Sequence, residues 1–244
     1  MSPTPPLTPL SELDQQLAAA GYAVLDAEDL LRLAGNTAAQ QLAWLPLWED
    51  LPPDEYLKDG GRYRRRRHGS FVIEGGRMQI ARHRAHWQPV SYNALHGGIE
   101  RWFEPLPTAL TDDPAWARLL VTLSQRAGAL RGPQAWYVEA HSFRIDTTDG
   151  IGRPTPEGAH RDGVDLVAVM LMSRVGIKGA ETRVFDARGP QGVRFTLTQP
   201  FCTLLLDDER VVHESTPIQP LDAKQTAHRD TLVLTFRCGG FQNP

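Results

Sequence analysis

The chain has 244 residues, 41% hydrophobic and 23% charged, with a formal net charge of −3. That balance supplies a buried core and excludes intrinsic disorder, and the slight acidity removes the global attraction a dedicated nucleic-acid binder relies on, so no nucleic-acid partner is expected. No apolar stretch reaches the roughly 18 residues of a membrane span, the opening MSPTPPLTPL lacks the basic-then-apolar pattern of an export signal, and Cys202 and Cys238 stand outside any paired or metal-binding spacing. A cytoplasmic protein without a membrane partner is the expectation.

In chain order, residues 1–10 are proline-rich and read as a mobile, extended lead-in, with residues 11–244 as one domain. Ser11 is a good N-cap for a helix that carries Leu13 and Leu17 and stops at Gly21. A short strand over 22–25 leads to a helix capped by Asp26 and running through Leu30, Leu33 and Leu42, after which Trp44, Pro46, Pro52 and Pro53 interrupt regular structure. Pro114 and the one-sided Leu119, Leu120 and Leu123 predict a third helix over 112–127, so 11–133 reads as mostly helical support.

From 134 the rhythm changes. Short β-rich runs over 135–145, 164–171, 182–186, 193–197, 201–206, 211–213 and 231–237 are separated by Gly, Pro and Asp. Helices first and a strand-rich 134–238 afterwards predict a mainly β, α+β chain: a double-stranded β-helix, the cupin-like jelly roll, braced by the N-terminal helices.

The densest chemistry is Glu157-Gly158-Ala159-His160-Arg161-Asp162-Gly163, at the entrance to an apolar strand. In extended backbone His160 and Asp162 share a face while Arg161 points away, so imidazole and carboxylate can converge. His213 lies at a strand edge later in the β-rich half, where a jelly roll returns the chain to the same mouth. Two histidines and one carboxylate on one side of a metal leave the opposite positions open, the facial triad of non-haem Fe(II). Zinc hydrolysis is the rival, but the helical H-E-x-x-H pattern is missing. A 2-oxo dicarboxylate chelating iron(II) beside one carboxylate overcompensates the metal's charge, so its far carboxylate needs a distal cation. Arg229, opening the last run, can supply a guanidinium fork, and Thr231 a hydroxyl. Alternation places Arg229, Thr231, Val233 and Thr235 on one face of that strand and Leu232, Leu234 and Phe236 on the other.

This set, His160-x-Asp162, distal His213, then Arg229-x-Thr231 on the final strand, resembles the 2-oxoglutarate/Fe(II)-dependent dioxygenase superfamily over roughly residues 20–238. The text around Thr155-Pro156-Glu157-Gly158, Gly179-x-Glu181-Thr182 and Gly60-Gly61-Arg62-Tyr63-Arg64-x-Arg66 is similar to the bacterial branch containing L-isoleucine 4-hydroxylase and related free-amino-acid hydroxylases. One departure is Arg161, where that branch leads one to expect glutamine. The resemblance implies Fe(II), 2-oxoglutarate and O2 as cofactors, a small molecule such as a free amino acid as substrate, and hydroxylation with release of succinate and CO2. The alternative is a non-catalytic jelly roll that binds or senses a metal or small acid.

Other features stay open. The basic run Arg62 to Arg67 reads as a solvated or salt-bridged segment, as a lining of the substrate mouth, or, against the overall acidity, as a local nucleic-acid contact. On the 136–145 strand, either the set Tyr137, Glu139, His141, Phe143 or the set Val138, Ala140, Ser142, Arg144 faces the site. His83, His86, His96 and His228 lack a strand-paired carboxylate and are read as non-ligands.

Overall fold

The alternation read in the last strand sets the architecture. In the computed structural model, which describes residues 3–93, 95–225 and 227–244, the strand His228–Arg237 buries Leu232, Leu234 and Phe236 in an apolar core and turns Arg229, Thr231, Val233 and Thr235 towards a polar cavity. In chain order the strands are β1 (Tyr22–Leu25), β2 (Arg64–Glu74), β3 (Arg77–Ile80), β4 (Trp136–Asp146), β5 (Leu166–Val175), β6 (Ile177–Gly179), β7 (Thr182–Asp186), β8 (Gly192–Phe195), β9 (Thr203–Asp207), β10 (Val211–Ser215), β11 (Ile218–Pro220) and β12 (His228–Arg237). They form an antiparallel major sheet in the order β1-β9-β5-β12-β4-β2-β3, a smaller sheet β10-β7-β8 and the pair β11-β6. This is the jelly-roll core expected from the strand rhythm.

Helices α1 (Leu13–Ala20), α2 (Ala27–Ala34), α3 (Ala38–Leu42), α4 (Thr108–Thr111) and α5 (Pro114–Arg131) gather on the outer face of the major sheet. Leu13, Leu17, Trp116, Leu120 and Leu123 pack there with Val138, Ala140, Leu232 and Leu234. Asp26 caps α2 by accepting from the Asp29 amide at 2.8 Å, as its position suggested. The helix expected to run on through Leu42 instead breaks at Gly35, whose φ of 63° ends α2, and restarts behind a Thr37/Gln40 capping box. Between the sheets, Val167, Leu171, Leu204 and Leu206 meet Val184, Phe195 and Val211 in a second apolar cluster. Among the described residues no helix is long and apolar enough to cross a membrane.

Two expectations need correcting. The stretch 11–133, expected to be mostly helical with one short strand over 22–25, also carries β2 and β3, a hairpin turned by Gly75 and Gly76 at positive φ, and β2 pairs along β4 in the major sheet. Residues 1 and 2 of the lead-in lie outside the described residues, but the rest is anchored. The Thr8 amide donates to Val24 O at 2.8 Å, Pro3 O accepts from the Thr196 amide, and Thr8 is buried. Backbone pairing with β1 removes the freedom that proline content suggested.

Candidate metal centre and its cavity

A pair of backbone hydrogen bonds joins the two histidines. His160 N donates to His213 O at 3.1 Å and His213 N to His160 O at 2.9 Å, an isolated antiparallel bridge that, with the Thr155–Ser215 hydrogen bonds, lays the 155–160 segment beside β10. The imidazoles lie 4.6 Å apart, and His160 Nε2 and His213 Nε2 stand 3.9 and 3.8 Å from the two Asp162 carboxylate oxygens. One nitrogen from each histidine and one Asp162 oxygen all fall within 4.8 Å of one another. The three residues that the sequence spacing singled out therefore lie together.

The local backbone is held for this purpose. Asp208 accepts from the amides of Asp162, Gly163 and Val164 at 3.1, 2.7 and 3.1 Å, clasping the loop that carries the carboxylate. Gly163 sits at φ +76°, a conformation favouring glycine. His160 Nδ1 lies 2.9 Å from Gly158 O, so the ring donates there and keeps its Nε2 lone pair free. Burial, reinforced by His160, pushes His213 down to about 4 and leaves it neutral at pH 7. His160 moves the other way: burial opposes protonation, but the Asp162 and Glu157 carboxylates hold its pKa above the usual histidine value. Among the described residues Asp162 has no lysine or arginine within 4.0 Å to compete for its charge. Two imidazoles and one carboxylate converging on one point are a donor set that fits a divalent first-row metal with open positions.

The same cavity contains the other half of the expected constellation. Arg229 is 4% exposed, has no carboxylate within 4.0 Å among the described residues, and leaves Nε and Nη2 without a partner. Burial and then neighbouring Arg174 push its pKa down to about 10, so it remains a cation at neutral pH. Thr231 lines the cavity one inward position further on. Between them, at Asp230/Thr231, the β12 register against β5 slips, and Trp48 Nε1 donates to Thr231 O at 3.2 Å. Such a bulge re-aims side chains, and the indole fixes it. A buried, unpaired guanidinium suits the far carboxylate of 2-oxoglutarate.

The floor of the cavity is a cross-strand lattice over β2, β4 and β12. Arg64, Ile145 and Arg229 share a row; so do Arg66, Phe143 and Thr231; so do His68, His141 and Val233. Strand β4 thus presents Glu139, His141 and Phe143 to this side and Val138 and Ala140 to the core, settling the register the sequence left open. The basic run divides by the same alternation. Arg64 and Arg66 are buried in the cavity, while Arg65 and Arg67 pair outwards with Asp146 and Glu104 at 3.5 and 2.7 Å. Asp54 holds Arg64 at 2.7 Å, and the Arg66 guanidinium lies over the rings of Phe103 and Phe143, 3.9 and 4.4 Å from their centroids.

Behind Arg66, His68, His86 and His141 gather around Glu139. His68 Nε2 and His86 Nδ1 approach its oxygens at 3.1 and 3.2 Å, and Arg66 Nη2 donates to His141 Nδ1 at 2.7 Å. Burial holds all three imidazoles neutral, that of His86 near pKa 4. Although burial opposes it, His86 and His68 keep Glu139 ionised far below the usual carboxylate range. His86, expected from the sequence to be a non-ligand, lines the cavity, and one ring nitrogen each of His68, His86 and His141 lie within 4.8 Å of one another.

Sequence reasoning missed Gln88, Asn93 and Arg101, which reach the cavity from the irregular segment before α4, and gave Glu157 no role although it lies in the densest motif. Only the run of polar residues around Glu157 offered a signal. Arg161 points elsewhere, donating to Glu209 O at 3.4 Å, as expected of the residue between two inward neighbours.

A family model described as 2OG-Fe dioxygenase matches residues 45–235. The crystal structure of a bsmA homolog from Methylobium petroleophilum PM1 is 56% identical, with 99% of this chain and 98% of that one covered and a TM-score of 0.93. IDO from Bacillus thuringiensis is similar in fold at 15% identity, covering 96% of this chain and all (100%) of that one, TM-score 0.73. The Fe(II)/(alpha)ketoglutarate-dependent dioxygenase TqaL is similar in fold at 21% identity, covering 96% and 90%, TM-score 0.72. No curated protein matches the chain in sequence.

Proposed function

Because the chain belongs to the 2OG-Fe dioxygenase family, and so uses Fe(II), 2-oxoglutarate and O2, we propose that it hydroxylates a free L-amino acid, as in the isoleucine hydroxylase branch its motifs resemble. When bound, iron(II) and 2-oxoglutarate supply the oxidising power: one oxygen atom of O2 enters a substrate C–H bond and the other joins the succinate left after loss of CO2. His160, Asp162 and His213 hold the metal, the imidazoles neutral and the carboxylate steadied by the Asp208 clasp. Arg229, assisted by Thr231, binds the far carboxylate of 2-oxoglutarate and sets which way it lies. The lattice of β2, β4 and β12 keeps bulk water from the reacting atoms and orients substrate, which confines oxidation to one carbon. The free thiols of Cys202 and Cys238 support a cytoplasmic setting.

The observation that carries this reading is the buried, unpaired Arg229 in the same cavity as the three donor side chains. Anaerobic addition of Fe(II) and 2-oxoglutarate should produce a weak visible charge-transfer band, and admission of air with a panel of free amino acids should release succinate. A band with no amino acid stimulating succinate would reject the amino-acid assignment.

A further inference from the structure

Arg229 is not the only cation in the cavity without an anion. Arg101 is 2% exposed, and among the described residues no carboxylate lies within 4.0 Å of it. Its backbone is pinned to His86 by reciprocal bonds of 2.9 and 3.0 Å, its Nη2 donates to Gln88 Oε1 at 3.0 Å, and its Nε is buried with no partner. Neighbouring Arg64 already has Asp54, yet it too leaves Nη2 unsatisfied. A buried guanidinium held by a neutral amide is poorly compensated, and a bound anion would complete it.

Across the same cavity stands the complementary defect. Glu157 Oε2 is buried with no hydrogen-bond donor, while its Oε1 lies 3.5 Å from His160 Nε2. Glu157 is near enough to stabilise the charge on Arg101 but beyond ion-pair distance. An unmet donor and an unmet acceptor of opposite charge therefore line one space without neutralising each other. A zwitterion with adjacent carboxylate and ammonium groups satisfies both.

We propose that Arg101 and Glu157 form a clamp for the head group of an α-amino acid, the guanidinium taking the α-carboxylate and the Glu157 carboxylate taking the α-ammonium. This rests on the amino-acid reading above and adds the residues that enforce it. The clamp makes Arg101 the substrate's counterpart of Arg229: one buried arginine for each organic acid.

The test is an anaerobic calorimetric titration of the Fe(II)- and 2-oxoglutarate-loaded protein with the most effective amino acid, its α-carboxamide and its α-hydroxy acid. Wild type should prefer the amino acid to each analogue by at least about tenfold, the scale of one charged hydrogen bond. Arg101→Met should lose the preference over the carboxamide and keep that over the hydroxy acid; Glu157→Gln should do the reverse. The 2-oxoglutarate charge-transfer titration should stay within about twofold of wild type in both, showing an intact fold. Were Arg101→Met to misfold, Arg101→Lys should fold and retain the preference over the carboxamide. Equal weakening of all three ligands, or none, overturns the clamp while leaving an amino-acid hydroxylase. If wild type binds no amino acid, the functional reading falls and the clamp with it.

Discussion

Gln88 Nε2 donates to Asp162 Oδ1 at 3.1 Å, and its Oε1 accepts from Arg101 Nη2 and Asn93 Nδ2 at 3.0 and 3.1 Å. Because both acceptor contacts come from obligate donors, the amide can face only one way, and its N–H steadies the carboxylate assigned to iron. Gln88→Leu is expected to weaken iron retention about 10- to 100-fold with the fold intact, as loss of such outer contacts commonly does. Iron titration checks this, and an unchanged affinity would remove Gln88 from the metal site.

His160→Ala and Asp162→Ala are expected to abolish iron binding and succinate release, since either leaves only two protein donors. Metal analysis after dialysis reads the first effect directly. Iron retained at wild-type stoichiometry in either variant would refute the ligand assignment.

Arg229→Met is expected to raise the half-saturating 2-oxoglutarate concentration about 10- to 100-fold, the scale of a charge-assisted pair, while iron still binds. An unchanged half-saturation would show that 2-oxoglutarate is anchored elsewhere, with Arg101 the next group to test.

Stability should fall as pH drops below about 6.5. His68, His86 and His141 are held neutral by burial, His86 down to about 4, whereas in the unfolded chain they take up protons near 6.5. The unfolded state thus binds more protons between those limits, and each imbalance removes about 1.4 kcal/mol per pH unit. Urea denaturation of chelator-treated protein at pH 7.5 and 5.5 measures the slope, and His86→Gln should flatten it. A stability independent of pH in that window would contradict neutral burial of the cluster.

Gly163→Ala tests the loop behind Asp162. A Cβ there would lie 2.5 Å from the Tyr92 ring on a backbone at φ +76°, a strain of about 1–3 kcal/mol. Lower thermal stability together with weaker iron binding is expected; a variant as stable as wild type would mean the Asp208 clasp is not tightly shaped.

What could be read from the sequence followed how strictly backbone periodicity fixes direction. His160 and Asp162 share a face because they are separated by one residue, and β12 declared its two faces by placing Leu232, Leu234 and Phe236 opposite Arg229, Thr231 and Val233. Strand β2 concealed itself because its inward Arg64 and Arg66 and outward Arg65 and Arg67 are the same residue type, so alternation left no trace in composition. Gln88 and Arg101 reach the cavity from irregular chain, where no period links position to direction. Asp26 and Pro114 marked where α2 and α5 begin, but the break at Gly35 depended on a left-handed turn that one glycine among many does not announce.

The lattice beneath the cavity also governs how this protein can change. Every inward position on β2, β4 and β12 is spoken for by parity, so inserting or deleting one residue within β4 would turn Glu139, His141 and Phe143 outwards and drive Val138, Ala140 and Arg144 in. The segment carrying Gln88 and Arg101 has no such parity and can lengthen or shorten around a fixed iron site. New substrate preferences should therefore accumulate as indels between β3 and α4, and as point substitutions alone within the three strands.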